Sequence, residues 1–217
     1  MIRGVIFDLD GVLVSTDELH YKAWKKLADN LGIVNFTRVD NERQRGVSRM
    51  ESLDIVLEKS DYHFDNKMKV YLAEEKNNYY KDFLEELDEK AVLTGAEETL
   101  KNLRARNIII GVGSASKNTP EILKKTGLLK YIDKVSCGLD VTKSKPDPEV
   151  FLVAAKKMNL KPEECLVVED SAAGVIAAKA AKMKSLGVGP FHNLLSADYH
   201  RENLADDIDW ETIIQQK

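Results

Sequence analysis

Only two cysteines, Cys137 and Cys165, occur in 217 residues, and they form no CxxC pair. A disulfide framework is therefore excluded, and two buried or idle thiols in a reducing compartment are expected. No stretch of about 18 consecutive apolar residues exists, so no membrane span is expected. A basic excess is missing too. The 32 Lys and Arg stand against 36 Asp and Glu, a net charge of −4, and nothing chain-wide points to nucleic acid. Met1-Ile2-Arg3-Gly4 runs straight into a short apolar segment and then charged residues, leaving no room for a signal peptide, so a cytoplasmic location is expected. Internal repeats, low-complexity tracts and Pro/Gly/Ser-rich linkers are absent as well. What is present is 43% apolar residues, enough for a sizeable core, and 31% charged residues for a soluble surface. This length fits one medium domain, or a core carrying a small insert.

The periodicity changes along the chain. Val5-Ile6-Phe7, Ile108-Ile109-Ile110, Leu166-Val167-Val168 and Ser185-Leu186-Gly187-Val188 are short apolar runs, with a weaker one around Val135. Such runs suit strands buried on both faces of a parallel sheet. Helical patterns lie between them, at 96–104, 119–126, 149–158 and 172–181. This alternation implies an α/β, doubly wound (Rossmann-like) parallel sheet. Residues 16–88 break the alternation and read as helix only. Their apolar stripes are Leu19, Ala23, Leu27 and Leu31; Leu53, Val56 and Leu57; and Met68, Leu72, Tyr79, Tyr80, Phe83 and Leu87. An all-helical block after the first strand cannot share the sheet. A helical cap over 16–88 is expected, inserted into a core of 1–15 and 89–217, with hinges near Val14-Ser15 and 89–93.

Ligands of open parallel sheets bind outside the carboxyl ends of the strands. The residues just past each apolar run are therefore informative. Asp8-Leu9-Asp10-Gly11 comes after the first, and Gly111-Val112-Gly113-Ser114-Ala115-Ser116-Lys117-Asn118 after the second. The third leads into Lys143-Ser144-Lys145-Pro146-Asp147-Pro148, and the fourth into Glu169-Asp170-Ser171. Four acidic side chains at one rim repel one another unless a cation sits among them, and an all-oxygen set of this kind suits Mg2+. A lysine and small hydroxyls at the same rim suit a phosphoryl group. Each piece alone has a plainer reading. A lone DxD is common in surface loops, Lys145 fits a solvated turn, and Glu169-Asp170 fits a helix cap. The glycines at 111 and 113 lack the third glycine of a dinucleotide fingerprint.

Taken together, the DxDG opening at Asp8 to Gly11, Ser114, Lys145 and the pair Glu169-Asp170 resemble the haloacid dehalogenase superfamily of phosphotransferases. The helical insert directly after the first motif is similar to the cap of its β-phosphoglucomutase branch. Thr16, His20 and Trp24, the cap loop Gly46-Val47-Ser48-Arg49, Lys76, and Ser114-Ala115-Ser116-Lys117-Asn118 extend that resemblance. Two places depart from it. Gln44 and Arg45 stand where Leu and Lys are expected, and the tail after Gly189, with Phe191-His192-Asn193, carries no matching motif.

The resemblance implies a Mg2+-dependent mutase that interconverts β-D-glucose 1-phosphate and glucose 6-phosphate, with β-glucose 1,6-bisphosphate as activating phosphoryl donor. Asp8 is the candidate nucleophile, forming an acyl phosphate, and Asp10 the general acid and base. Asp8 and Asp170 are expected to hold the metal, joined by the Asp10 backbone carbonyl, with Glu169 behind them or bound through water. Ser114 and Lys145 are expected on the transferring phosphate. Arg49, with its planar fork, and Ser116, Lys117 and Asn118 are expected on a second phosphate. Lys76 lies on the stripe's own face, where it either snorkels or binds. His20 either packs or, by resemblance, orients the hinge and Asp10; Trp24 is cap core or lies near the sugar. His63, His192 and His200 read as surface. The partner is a small-molecule sugar phosphate, with no nucleic acid or membrane and a monomeric chain expected. The alternatives are a sugar-phosphate phosphatase on the same scaffold and a catalytically silent phosphosugar-binding module.

Overall fold

The computed structural model describes residues 1–44 and 47–215. The chain divides into two compact units, Met1–Ser15 with Asp88–Lys217, and Thr16–Leu87. Strand β1 (Gly4–Phe7) opens the first unit. The second unit holds α1 (Asp17–Asn30), α2 (Arg38–Glu42), α3 (Arg49–Leu57) and α4 (Asn66–Leu84). The first unit resumes with α5 (Ala96–Ala105), β2 (Ile109–Gly113), α6 (Thr119–Lys125), β3 (Lys134–Ser136) and α7 (Glu149–Lys157). It ends with β4 (Cys165–Glu169), α8 (Ala172–Ala180), β5 (Lys184–Gly187), β6 (Tyr199–His200) and α9 (Trp210–Gln215).

The sheet is parallel throughout, in the order β3-β2-β1-β4-β5-β6, the doubly wound Rossmann order. β1 and β4 are buried along their whole length, as continuous apolar strands in a sheet covered on both faces must be. Ile6 and Val167 pack with Phe151 and Ala154 of α7 and Ala177 and Ala178 of α8. The strand order reverses between β1 and β4, so a crevice opens at their carboxyl ends. Asp8 leaves β1 there, and Asp170 leaves β4. Where the chain departs to the helical unit and returns, Val14 bridges Val92 and Ser15 N donates to Ala91 O over 2.8 Å.

The helical unit has its own core of Trp24, Leu27, Phe36, Leu53, Val56, Leu72 and Ala73. Its longest helix buries a stripe that shares Leu72 and Tyr80 with the expected one but is rotated from it. Leu72, Ala73, Lys76, Asn77, Tyr80 and Leu84 point inward, while Met68 is exposed and Phe83 and Leu87 are half-buried. The inward stripe follows the helical spacing 73, 77, 80, 84 and accepts two polar residues because each has partners. The tail supplies a sixth strand that its sequence does not announce. Tyr199–His200 has no apolar run and exists through its pairing with Leu186 and Gly187 of β5. His192 and His200, read as surface, are half-buried and hydrogen-bonded. Both cysteines are free and buried.

Candidate active site

In the α/β unit the strand ends bring Asp8, Lys145, Glu169 and Asp170 together. Asp8 N donates to Val168 O at 2.9 Å, so the first residue beyond β1 stays in the sheet's register while its side chain enters the crevice. Lys145 Nζ donates to Asp8 Oδ1 at 2.6 Å and also to Glu169 Oε1. Its Nζ lies over the Phe151 ring, 4.7 Å from the centroid. Glu169 is fully buried, and its second oxygen accepts from Ser171 N and Oγ, both at 2.9 Å. Ser171 in turn caps α8 by accepting from Gly174 N. Gly174 is required here, because a Cβ would come within 1.9 Å of the Glu169 carboxyl group. Burial pushes the Asp8 carboxyl up to about 7 against the opposing charge of Lys145, with Glu169 and Asp10 adding to the rise. The two carboxylates hold Lys145 protonated, above the usual lysine range, although burial alone works the other way.

Asp10 sits in the tight turn beyond β1. Leu13 and Val14 N donate to Leu9 O, Gly11 N donates to Val14 O, and Asp10 itself bridges Val14. The loop after β2 is a chain of hydroxyl caps. Ser114 Oγ accepts from Ser116 N, Ser116 Oγ accepts from Asn118 N, and Thr119 Oγ1 donates to Ser116 O. Ser114 and Asn118 are buried, Ser116 is half-buried, and Ala115 and Lys117 are both exposed, Lys117 beside Gly138.

In the helical unit a second group of charges forms among α1, α3 and α4. Lys76 is buried, not snorkelling. Its Nζ lies 2.8 Å from His20 Nδ1 and over the Trp24 and Tyr80 rings at 4.6 and 4.8 Å. His20 stacks on Tyr80 with centroids 4.1 Å apart. Burial, then the charges of Lys76 and Arg49, hold its imidazole well below the usual range, so it is neutral and Nδ1 accepts from Lys76. Arg49 donates to Asn77 Oδ1 at 2.9 Å and pairs with Glu74 at 3.3 Å. Asn77 is a member of this group that no sequence motif singles out; its place on the buried face of α4 is its only signal. Trp24 belongs to the helical core. Ser48 caps α3, exchanging bonds with Glu51 in a capping box, and Val47 beside it is half-buried. Thr16, just before α1, is buried. Gln44 Nε2 donates to Ser52 O at 2.9 Å. Gly46 and Arg45 lie outside the described residues.

Residues 5–188 match the model of the haloacid dehalogenase-like hydrolases. The chain belongs to this family. Among members of this kind, it is 37% identical over 199 residues to the β-phosphoglucomutase of Bacillus subtilis (strain 168), spanning 91% of this chain and 88% of that one. It is also 31% identical over 196 residues to a phosphorylated carbohydrates phosphatase of Thermotoga maritima, spanning 89% and 87%. The crystal structure of a β-phosphoglucomutase from Clostridium difficile superposes with a TM-score of 0.89 at 40% identity, covering 98% and 96% of the two chains. The haloacid dehalogenase-like hydrolases generally use Mg2+, and the donor set here suits it. Asp8, Glu169 and Asp170 each offer a carboxylate oxygen, all within 4.8 Å of one another. A purely oxygen set of this charge fits a hard divalent cation.

Proposed function

We propose that this chain is a β-phosphoglucomutase, interconverting β-D-glucose 1-phosphate and glucose 6-phosphate through β-glucose 1,6-bisphosphate. The observation that carries the reading is the second group of cations. Lys145 serves one phosphate in the α/β unit, and Arg49 and Lys76 form a separate set in the helical unit. A bisphosphate intermediate has a second phosphate to hold, whereas hydrolysis of a monophosphate does not. The two β-phosphoglucomutase relatives support the same reading.

In this reading Asp8 takes a phosphoryl group from the bisphosphate as an acyl phosphate, and the sugar oxygen that loses it takes up the proton held by Asp10. In the second half the free 6-hydroxyl of an incoming β-glucose 1-phosphate attacks the aspartyl phosphate, Asp10 accepts its proton, and the bisphosphate reforms with Asp8 released. Lys145 and Ser114 orient the transferring group and offset its charge. Lys145 has three N–H donors, and the two bonds to Asp8 and Glu169 leave the third for a phosphate oxygen. Asp8, Asp170 and Glu169, with the Asp10 carbonyl, would hold Mg2+, which when bound supplies the positive charge that keeps Asp8 ionised and offsets phosphate charge. Ser116, Lys117 and Asn118 assist with the second phosphate, and Thr16 and His20 serve the sugar together with Val47, Ser48 and Arg49.

The test is the product formed from β-glucose 1-phosphate and Mg2+, primed with the bisphosphate and followed by phosphorus NMR. Glucose 6-phosphate is the expected main product, and Asp8→Asn and Asp10→Asn are expected to abolish its formation. Free phosphate as the main product would replace the mutase with a sugar-phosphate phosphatase, the activity named for the Thermotoga relative.

A further inference from the structure

Asp170 occupies a slot between two left-handed glycines. A Cβ on Gly11 (φ +82°) would come within 2.0 Å of Asp170 Oδ2, and one on Gly189 (φ +93°) within 3.6 Å of Asp170 Cβ. Gly11 belongs to the first motif. Gly189 opens the tail for which the family resemblance offers no role. Its place is set by neighbours on three sides. Val188 N donates to Glu169 O and Gly189 N to Glu202 O, both at 2.8 Å. The Gly189 carbonyl accepts twice from a single residue, from His192 N at 3.1 Å and from His192 Nδ1 at 2.7 Å. His192 is fixed in turn, because its own carbonyl accepts from His200 Nδ1 at 2.8 Å, and His200 is paired with Gly187 in the sheet.

We infer that His192, clasped by His200, is a positioning residue that holds Gly189 as the outer wall of the Asp170 slot and so tunes divalent-cation binding. The inference rests on the reading of Asp8, Glu169 and Asp170 as the metal-holding set. A carbonyl oxygen only accepts, so Nδ1 of each histidine carries a proton. The work of the clasp is geometric. A ligating carboxylate that drifts loses affinity even when the fold is intact, and losses of the order of tenfold are typical when a residue supporting a metal ligand is removed. Asn at 192 places Nδ2 as many bonds from the backbone as Nδ1 and retains the donor, whereas Ala removes it.

The experiment is calorimetric titration of the full chain with Mg2+ and no sugar phosphate, alongside melting temperatures in chelator. His192→Ala is expected to weaken Mg2+ binding about tenfold while the metal-free melting temperature moves by no more than a few degrees. His192→Asn is expected to stay within about threefold of the wild type, and His200→Ala to fall between the two. Wild-type Mg2+ affinity in His192→Ala overturns the inference, as does Asn binding as weakly as Ala. Should His192→Ala fail to fold, His192→Asn and His200→Ala decide the matter: equal, wild-type affinity in both overturns it. A wild-type chain that takes up no Mg2+ at all overturns the metal-site reading itself, and the inference with it.

Discussion

In the α/β unit Lys145 lies between Asp8 and Glu169, so each buried charge touches one of opposite sign. In the helical unit Lys76 meets an imidazole nitrogen and two aromatic faces, and Arg49 meets an amide and a carboxylate that is 58% exposed. Counted over these residues, the first group is tightly paired yet net negative, with one lysine against two carboxylates, and the second is net positive. Buried pairing makes a group part of the fold, because removing one member strands the others in a low-dielectric interior. The charge left over makes a group a receptor, for a cation in the first and an anion in the second. Substitutions should therefore damage the two units differently.

The largest effect is expected at Lys145. In Lys145→Met, Asp8 and Glu169 face each other without a cation, and removing one partner of a buried pair costs about 3 to 5 kcal/mol. Urea unfolding in chelator at pH 8 measures this loss, and Mg2+ should restore part of it. A loss under about 1 kcal/mol would show that the cluster is no more tightly coupled than a surface ion pair, and the contrast with the helical unit would collapse.

Arg49→Ala should behave in the opposite way, sparing stability and reducing recognition. Charge-assisted hydrogen bonds contribute about 1.5 to 3 kcal/mol, so kcat/KM for β-glucose 1-phosphate should fall roughly 10- to 100-fold. Phosphoryl transfer from acetyl phosphate, which has no second anchor, should change little. Equal losses on both substrates would move Arg49 from the receptor to the fold.

The smallest effect is a pH slope. His20 is held neutral, with its folded-state pKa below the ordinary 6.5. As pH falls through 6.5 the unfolded chain gains a proton that the folded one refuses, so this contribution to stability is present above that pH and is lost below it. The slope is at most about 1.4 kcal/mol for each pH unit. Melting temperatures of wild type and His20→Gln between pH 7.5 and 5 should converge at the acid end. Parallel curves would show that the imidazole takes up its proton in the folded state as readily as in the unfolded one.

Much of the α/β architecture is legible in short runs of residues. Val5-Ile6-Phe7 and Leu166-Val167-Val168 are apolar on both faces, which only a covered parallel strand accommodates, and the residues just past them carry the acidic cluster. That determination is local. A strand end needs no partner to be recognised: Asp8, Asp10 and Asp170 follow one or sit in its first turn, and Glu169 closes one. Contacts between distant segments are not written locally. The Lys145–Asp8 bond joins residues 137 apart, and the His20–Lys76 contact joins residues 56 apart. Periodicity marks an apolar stripe on α4 but cannot say that Lys76 and Asn77 turn inward with it, because burying a polar group is acceptable only where another segment supplies its partner. The same reason hides β6 and the wall at Gly189. Tyr199–His200 becomes a strand by pairing with β5, and His192 acquires a role through a glycine carbonyl and a histidine from the far side of its own loop. Sequence determined which faces must be buried and which strand ends carry charge; only the tertiary structure decided which charges meet, since hydrogen bonds and ion pairs act over a few ångströms and depend on where the chain returns.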